Sequence, residues 1–241
     1  MKKFAFLMSC ICMVAMVSCK SNTTSKSEAP AENPDTTKIV EIKSENMEMK
    51  KIEEPEFDII TNYGTMRVKL YSKTPKHRDN FVKLVSEKFY DGIRFHRVIE
   101  GFMIQTGDPL SKDISMMNRW GTGGPTPDYT VPAEFVPEYT HKKGALAAAR
   151  KGDLANPKKA SSGSQFYIVH DPENCAHLDG QYSIFGEVTK GLEIIDRIAT
   201  TATDPYDRPE NDVIISTIKP VIEIAAKPAP VQPEADSTKA E

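Results

Sequence analysis

The sequence predicts a mainly β fold: an antiparallel barrel of about eight strands, with two helices capping its open ends. Two observations carry this. Short apolar-rich runs recur along residues 55–225 with turn residues between them, and only two stretches of that interval keep a helical period. No segment repeats at a fixed interval, so the interval reads as one folded unit, large enough to bury a single core.

The elements follow in order. Phe57–Thr61 and Met66–Tyr71 flank Asn62-Tyr63-Gly64 and form a hairpin. Its second arm alternates apolar and charged residues, as a half-buried strand does, and its link supplies residues that tolerate positive φ. A helix comes next, with Thr74 as its cap, Pro75 at its first position and Phe81, Leu84 and Val85 on its apolar face. Strands are expected at Arg94–Ile99, Gly101–Gln105, Gly144–Ala149, Gln165–Val169 and Ser183–Val188. A short helix over Leu192–Ala199 and a last strand near Val213–Ile218 complete the unit.

Alternation along Arg94–Ile99 places Phe95, Arg97 and Ile99 on one face, His96 and Val98 on the other. Taken alone, Arg97 is also compatible with a surface strand residue paired to a nearby acid. A cation among apolar neighbours points to a ligand groove, and His96, on the opposite face, reads as structural.

The flanks carry a different message. Lys2 and Lys3 precede an apolar run from Phe4 to Val17, then Ser18 and Cys19, the pattern of a signal peptide over residues 1–18. The run is shorter than the roughly 20 residues that span a bilayer. Met16-Val17-Ser18-Cys19 resembles a bacterial lipobox, in which the cysteine becomes the acylated first mature residue. Several palmitate-type chains on Cys19 would hold the protein on a membrane far more firmly than one myristoyl group. Residues 19–54 and 226–241, rich in Ser, Thr, Lys, Glu and Pro, read as a flexible tether and a tail. Of four cysteines, Cys10 and Cys12 leave with the signal and Cys19 is blocked, so Cys175 stands alone and no internal disulfide is expected. The expected place is the bacterial cell envelope, lipid-anchored to a membrane, with a periplasm-facing position favoured over surface display.

The net charge of −3 comes with no basic stripe, which argues against nucleic acid as a partner. The chain has no G-x-S-x-G, no H-E-x-x-H and no phosphate-binding lysine loop. Cys175 and His177 form only an isolated C-x-H pair, so neither a metal nor another cofactor is expected.

Three stretches say more: FHRVIEGFMIQTGDP (95–109), SSGSQFYIVH (161–170) and HLDGQYSIFGEV (177–188). Together, and in this order, they resemble the cyclophilin family of peptidyl-prolyl cis/trans isomerases over nearly all of residues 57–218. The resemblance implies a closed cyclophilin-like barrel that rotates X-Pro bonds of polypeptide clients, here exported ones, as a monomer. It implies that Arg97 is the catalytic arginine, that Phe102 lines the proline pocket, and that Gln105 orients the substrate beside Arg97. Met103, Tyr167 and Leu178 match the same pocket; Ala149, Arg150 and Gln165 match the groove for the residues before proline. The physics is compatible. Amide resonance sets a barrier of about 18–20 kcal/mol, and lowering it requires only that the twisted amide be bound better than either planar isomer. A binding module without turnover is the alternative, and the retained Arg97 speaks against it.

The departures lie at the rim. His177 stands where eukaryotic members carry Trp, and Tyr182 where they carry His. The indole donor to cyclosporin is therefore missing, and weak inhibition by that drug is expected. Tyr167 replaces the more usual Phe, and Arg150 a common Asn. The stretches Lys151–Ser162 and Leu110–Trp120, the second with the only Trp, are unusual and their role is not legible in the sequence.

Overall fold

A computed structural model describes residues 52–221. The expected signal peptide, Cys19, the tether up to residue 51 and the tail from residue 226 lie outside the described residues.

Among the described residues there are ten strands: β1 (Glu56–Thr61), β2 (Gly64–Leu70), β3 (Arg97–Ile99), β4 (Met103–Thr106), β5 (Thr130–Val131), β6 (Ala145–Ala148), β7 (Ser161–Ser162), β8 (Phe166–Val169), β9 (Ile184–Lys190) and β10 (Ile215–Pro220). Eight of them form one antiparallel sheet in the order β10-β1-β2-β9-β6-β8-β4-β3, and β5 pairs with β7 apart from it. The helices are α1 (Pro75–Ser86), the single turn α2 (Pro172–Cys175) and α3 (Leu192–Ala199).

The strands alone do not close the barrel, because β10 and β3 are left as edges. The chain just before β3 spans that gap. Gly92 N–H donates to Ile215 O (2.8 Å), Phe95 N–H to Val213 O (2.9 Å) and Ile215 N–H to Ile93 O (2.9 Å), around one isolated bridge between Arg94 and Ile214. A full ladder cannot form, since β3 has three residues and the Val98 amide is taken by Asp207 O at 2.7 Å.

That irregular stretch also corrects the expected alternation. Phe95 and Val98 both enter the main core, with Phe57, Phe81, Phe166 and Phe185, so Phe95 does not share a face with Arg97. His96 is buried too, and neither of its ring nitrogens has a hydrogen-bond partner. Burial first, despite the nearby Asp108 carboxylate, holds its imidazole down to about 4, so it stays neutral.

The β1–β2 hairpin turns at Asn62-Tyr63, with Thr61 opposite Gly64. Only Gly64 of this link needs positive φ, at 137°. Helix α1 buries Phe81, Val82, Leu84 and Val85 on the core, but Thr74 makes no side-chain cap. A distant residue supplies it: the Glu134 carboxylate accepts from the amides of Lys76 (3.1 Å) and His77 (3.0 Å). The same carboxylate meets His77 Nδ1 at 2.6 Å, and His77 Nε2 meets Ser161 Oγ at 2.9 Å. This has the order of a hydrolytic triad, yet Ser161 is 1% exposed, so no substrate reaches it. The trio ties α1 to β7.

Burial pushes the Glu134 carboxyl up, but hydrogen bonds from the His77 ring and the two amides outweigh it and hold it below its ordinary value. A carboxyl depressed on folding contributes stability that is complete above its unfolded pKa and lost as pH falls through the folded one. Melting temperature is thus expected to fall as the medium is acidified below about pH 4.5. Glu134→Gln should start less stable at pH 7 and show a shallower acid decline, measured by thermal melts across pH. An identical slope in both proteins would remove Glu134 from the acid limb.

Candidate active site

The sheet register builds the site. Across four neighbouring strands, Arg97 (β3) faces Gln105 (β4), Gln105 faces Tyr167 (β8), and Tyr167 faces Ala147 (β6). Residues directly opposite in antiparallel strands point to the same face, so these four form one row. Two residues along, Ile99, Met103 and Val169 form the next row. The intervening residues Val98, Ile104, Ile168 and Leu146 point the other way, into the main core. One face of the sheet therefore packs into the main core, and the other carries a second, smaller apolar cluster.

On that second face Met103, Tyr167, Ala147 and Ala149 cluster with the partly buried Ile99, Phe102, Leu178 and Tyr182. Phe102 sits in the turn between β3 and β4, and α2 holds it there. Its carbonyl accepts from the His170 amide at 3.0 Å, and Asn174 Nδ2 donates to Gly101 O at 2.7 Å. His177 is exposed, with its ring stacked over Phe102 at 6.4 Å between centroids. Cys175 is buried beneath, its thiol pushed up to about 11 by burial first and then by Asp171 and Asp179, which suits neither a ligand nor a nucleophile.

Arg97 is half-exposed and forms an ion pair with Asp207, Nε to Oδ2 3.4 Å. Both side chains are more than 40% exposed, so the pair is weak and screened. The surface ion pair weighed for Arg97 thus exists alongside its place in the row, and the acid comes from a loop more than a hundred residues away in sequence.

Gln105 Nε2 donates to Gln165 Oε1 at 3.1 Å, and Gln165 Nε2 donates to the carbonyls of Gly121 (3.1 Å) and Gly123 (2.7 Å). Both glutamines line a cavity of about 550 Å³ whose walls include Ala149, Arg150, Gly121 to Gly123 and Asn156. Both unusual stretches belong to its surroundings. The first runs as two 3-10 helices, Pro109–Lys112 and Ile114–Arg119, leading into Gly121, and the buried Asp108 carboxylate fixes their ends through the amides of Leu110, Gly121 and Gly123. The second supplies Lys151, Ala155, Asn156, Ala160 and Ser162. Arg150 engages through its side chain. It donates to Gln181 O at 2.9 Å and lies 4.4 Å over the Tyr182 ring.

Three contributors escaped the sequence reading. Asp207 and Asp179 are single acids in loops, and His141 stands in a loop before β6 with no motif around it. Asp179 sits inside the HLDG stretch, the one signal available in advance.

Residues 56–220 match the model of the family described as cyclophilin type peptidyl-prolyl cis-trans isomerase. A probable peptidyl-prolyl cis-trans isomerase A of Mycobacterium leprae is 39% identical over 176 residues, covering 66% of this chain and 87% of that protein. Peptidyl-prolyl cis-trans isomerase B of Bacillus subtilis is 46% identical over 115 residues, covering 47% of this chain and 68% of that protein. The crystal structure of a cyclophilin type isomerase of Cryptosporidium parvum superposes with a TM-score of 0.62 at 31% identity, covering 70% of this chain and 98% of that one. A second structure of the same protein, in the presence of the dipeptide Ala-Pro, gives 0.61 at 30% identity over 69% of this chain and 99% of that one. With the family matched across the whole described sheet, from β1 to β10, this chain belongs to the cyclophilin-type peptidyl-prolyl cis-trans isomerases.

Proposed function

We propose that this isomerase holds the proline ring in the socket of Phe102, Met103, Tyr167 and Leu178 while Arg97 donates to the twisted amide. The cross-strand row supports the reading: Arg97 and Gln105 stand in one row with Tyr167, beside the apolar cluster of Met103, Phe102 and Leu178 on the face opposite the main core. Twisting removes amide resonance, so the prolyl nitrogen regains a lone pair that can accept a hydrogen bond. A guanidinium aimed at that nitrogen stabilises the twisted state more than either planar isomer. Gln105 orients the substrate beside it, and the cavity lined by Ala149, Arg150 and Gln165 receives the residues before proline. No covalent intermediate and no cofactor enter the scheme. The test is cis-to-trans relaxation of an X-Pro peptide with the purified protein. Catalysed exchange supports the reading, and a rate equal to the uncatalysed one would overturn it.

We further propose that the clients are exported polypeptides and that the enzyme works from a membrane, facing the periplasm, through acylated Cys19. The lipobox-like Met16–Cys19 supports this. The wild-type protein is expected in the membrane fraction, and Cys19→Ala in the soluble one. Mass spectrometry showing an unmodified Cys19 on the mature chain would sink the anchor.

A further inference from the structure

The hydroxyl of Tyr167 adds a polar atom to the floor of an apolar socket, and the structure shows where it goes. Tyr167 Oη meets His141 Nε2 at 2.8 Å, and His141 Nδ1 meets Asp179 Oδ1 at 2.6 Å. The same carboxylate oxygen accepts the His141 amide at 2.8 Å, so Asp179 grips His141 twice. The His141 side chain is fully buried, and its ring lies nearly parallel to that of Tyr167, 10° apart with centroids at 5.9 Å.

The direction of the chain is fixed by chemistry. Burial first holds the His141 imidazole below its ordinary value, although Asp179 opposes it, and a neutral imidazole has one donor and one acceptor. The donor belongs to Nδ1, because a carboxylate can only accept. Nε2 must then accept, and the Tyr167 hydroxyl donates. Burial also raises the Tyr167 phenol, so it keeps its proton. The chain orients groups and transfers no proton.

Its two ends sit on different walls of the socket. Tyr167 forms the floor from β8. Asp179 follows directly after Leu178, in the segment that also carries His177. His141 lies between them on a third segment, before β6, and acts as a strut. Without it, the Tyr167 ring would be held by packing alone, chiefly against Tyr182 edge-on at 5.9 Å.

We propose that His141 and Asp179 are positioning residues of the isomerase, setting the distance between the Tyr167 floor and the Leu178 wall through the Tyr167 hydroxyl. The proposal rests on the socket being where proline binds. Small displacements in such a site weaken transition-state binding steeply, since the ring must be gripped while the amide turns.

A double-mutant cycle on the purified protein separates this role from a merely structural one. His141→Gln is expected to lower kcat/KM about tenfold in the wild-type background but less than about twofold once Tyr167→Phe is in place, because the strut then has nothing to hold. Asp179→Ala should lose about as much as His141→Gln, and Asp179→Asn, which keeps an acceptor, should recover most of that loss. Should His141→Gln fail to fold, the Asp179 pair, on the more exposed side of the strut, decides alone. Equal losses in both Tyr167 backgrounds, or no loss in either, would overturn the proposal. Binding of an Ala-Pro peptide is measured in the same cycle. Coupling seen in binding with no turnover in the wild type would refute the catalytic reading of the socket and leave the strut standing.

Discussion

Arg97→Ala is expected to lower kcat/KM by about 10²–10³, the usual cost of losing one preorganised charged donor. The loss should fall on turnover far more than on ground-state peptide binding, because a planar amide offers the guanidinium little to bond. The fold should survive. Arg97 is 43% exposed, and its ion pair to the equally open Asp207 contributes at most about 1 kcal/mol. Arg97→Lys should rescue little, since one ammonium cannot reproduce a planar fork that reaches nitrogen and carbonyl together. The measurement is isomerase turnover beside thermal melting for wild type and both variants. A folded Arg97→Ala protein with near-wild-type turnover would mean that the socket acts by its apolar grip alone.

The same arginine shows what a sequence can and cannot disclose. Its place between buried neighbours was legible, because short strands announce themselves by apolar content and period. Which neighbours shared its face was only partly legible. Ile99 does, but Phe95 does not, because the chain before β3 follows no strand period where it bridges to β10. Thr74 holds the cap position, but its side chain does not cap: the α1 amides are taken by Glu134, a partner that no local pattern reveals. Asp207 and His141 share that obscurity. Each acts through a contact fixed only by the closed fold, across a sequence separation that periodicity does not span.

Where the period did hold, it makes the sharpest division in the molecule, between Phe166 and Tyr167. These neighbours on β8 point to opposite faces. Tyr167 belongs to the socket, whereas Phe166 is 1% exposed in the main core, meeting Phe81 and Tyr90 edge-on at 5.7 and 5.6 Å. Phe166→Ala is therefore expected to cost about 3–5 kcal/mol, through lost burial and the cavity left among those rings. For a domain of this size that corresponds to a fall in melting temperature of about 10 °C. At temperatures where the variant stays folded, kcat/KM should change little, because the Arg97–Gln105–Tyr167 row hangs on strand register and not on the Phe166 ring. Tyr167→Phe should show the converse, keeping most of its stability while kcat/KM falls about as far as in His141→Gln. Urea melts and peptide kinetics on both variants read the two quantities separately. If Phe166→Ala lost less than about 1 kcal/mol, the aromatic cluster would not be what holds the barrel, and the separation of a stabilising face from a working face would fail with it.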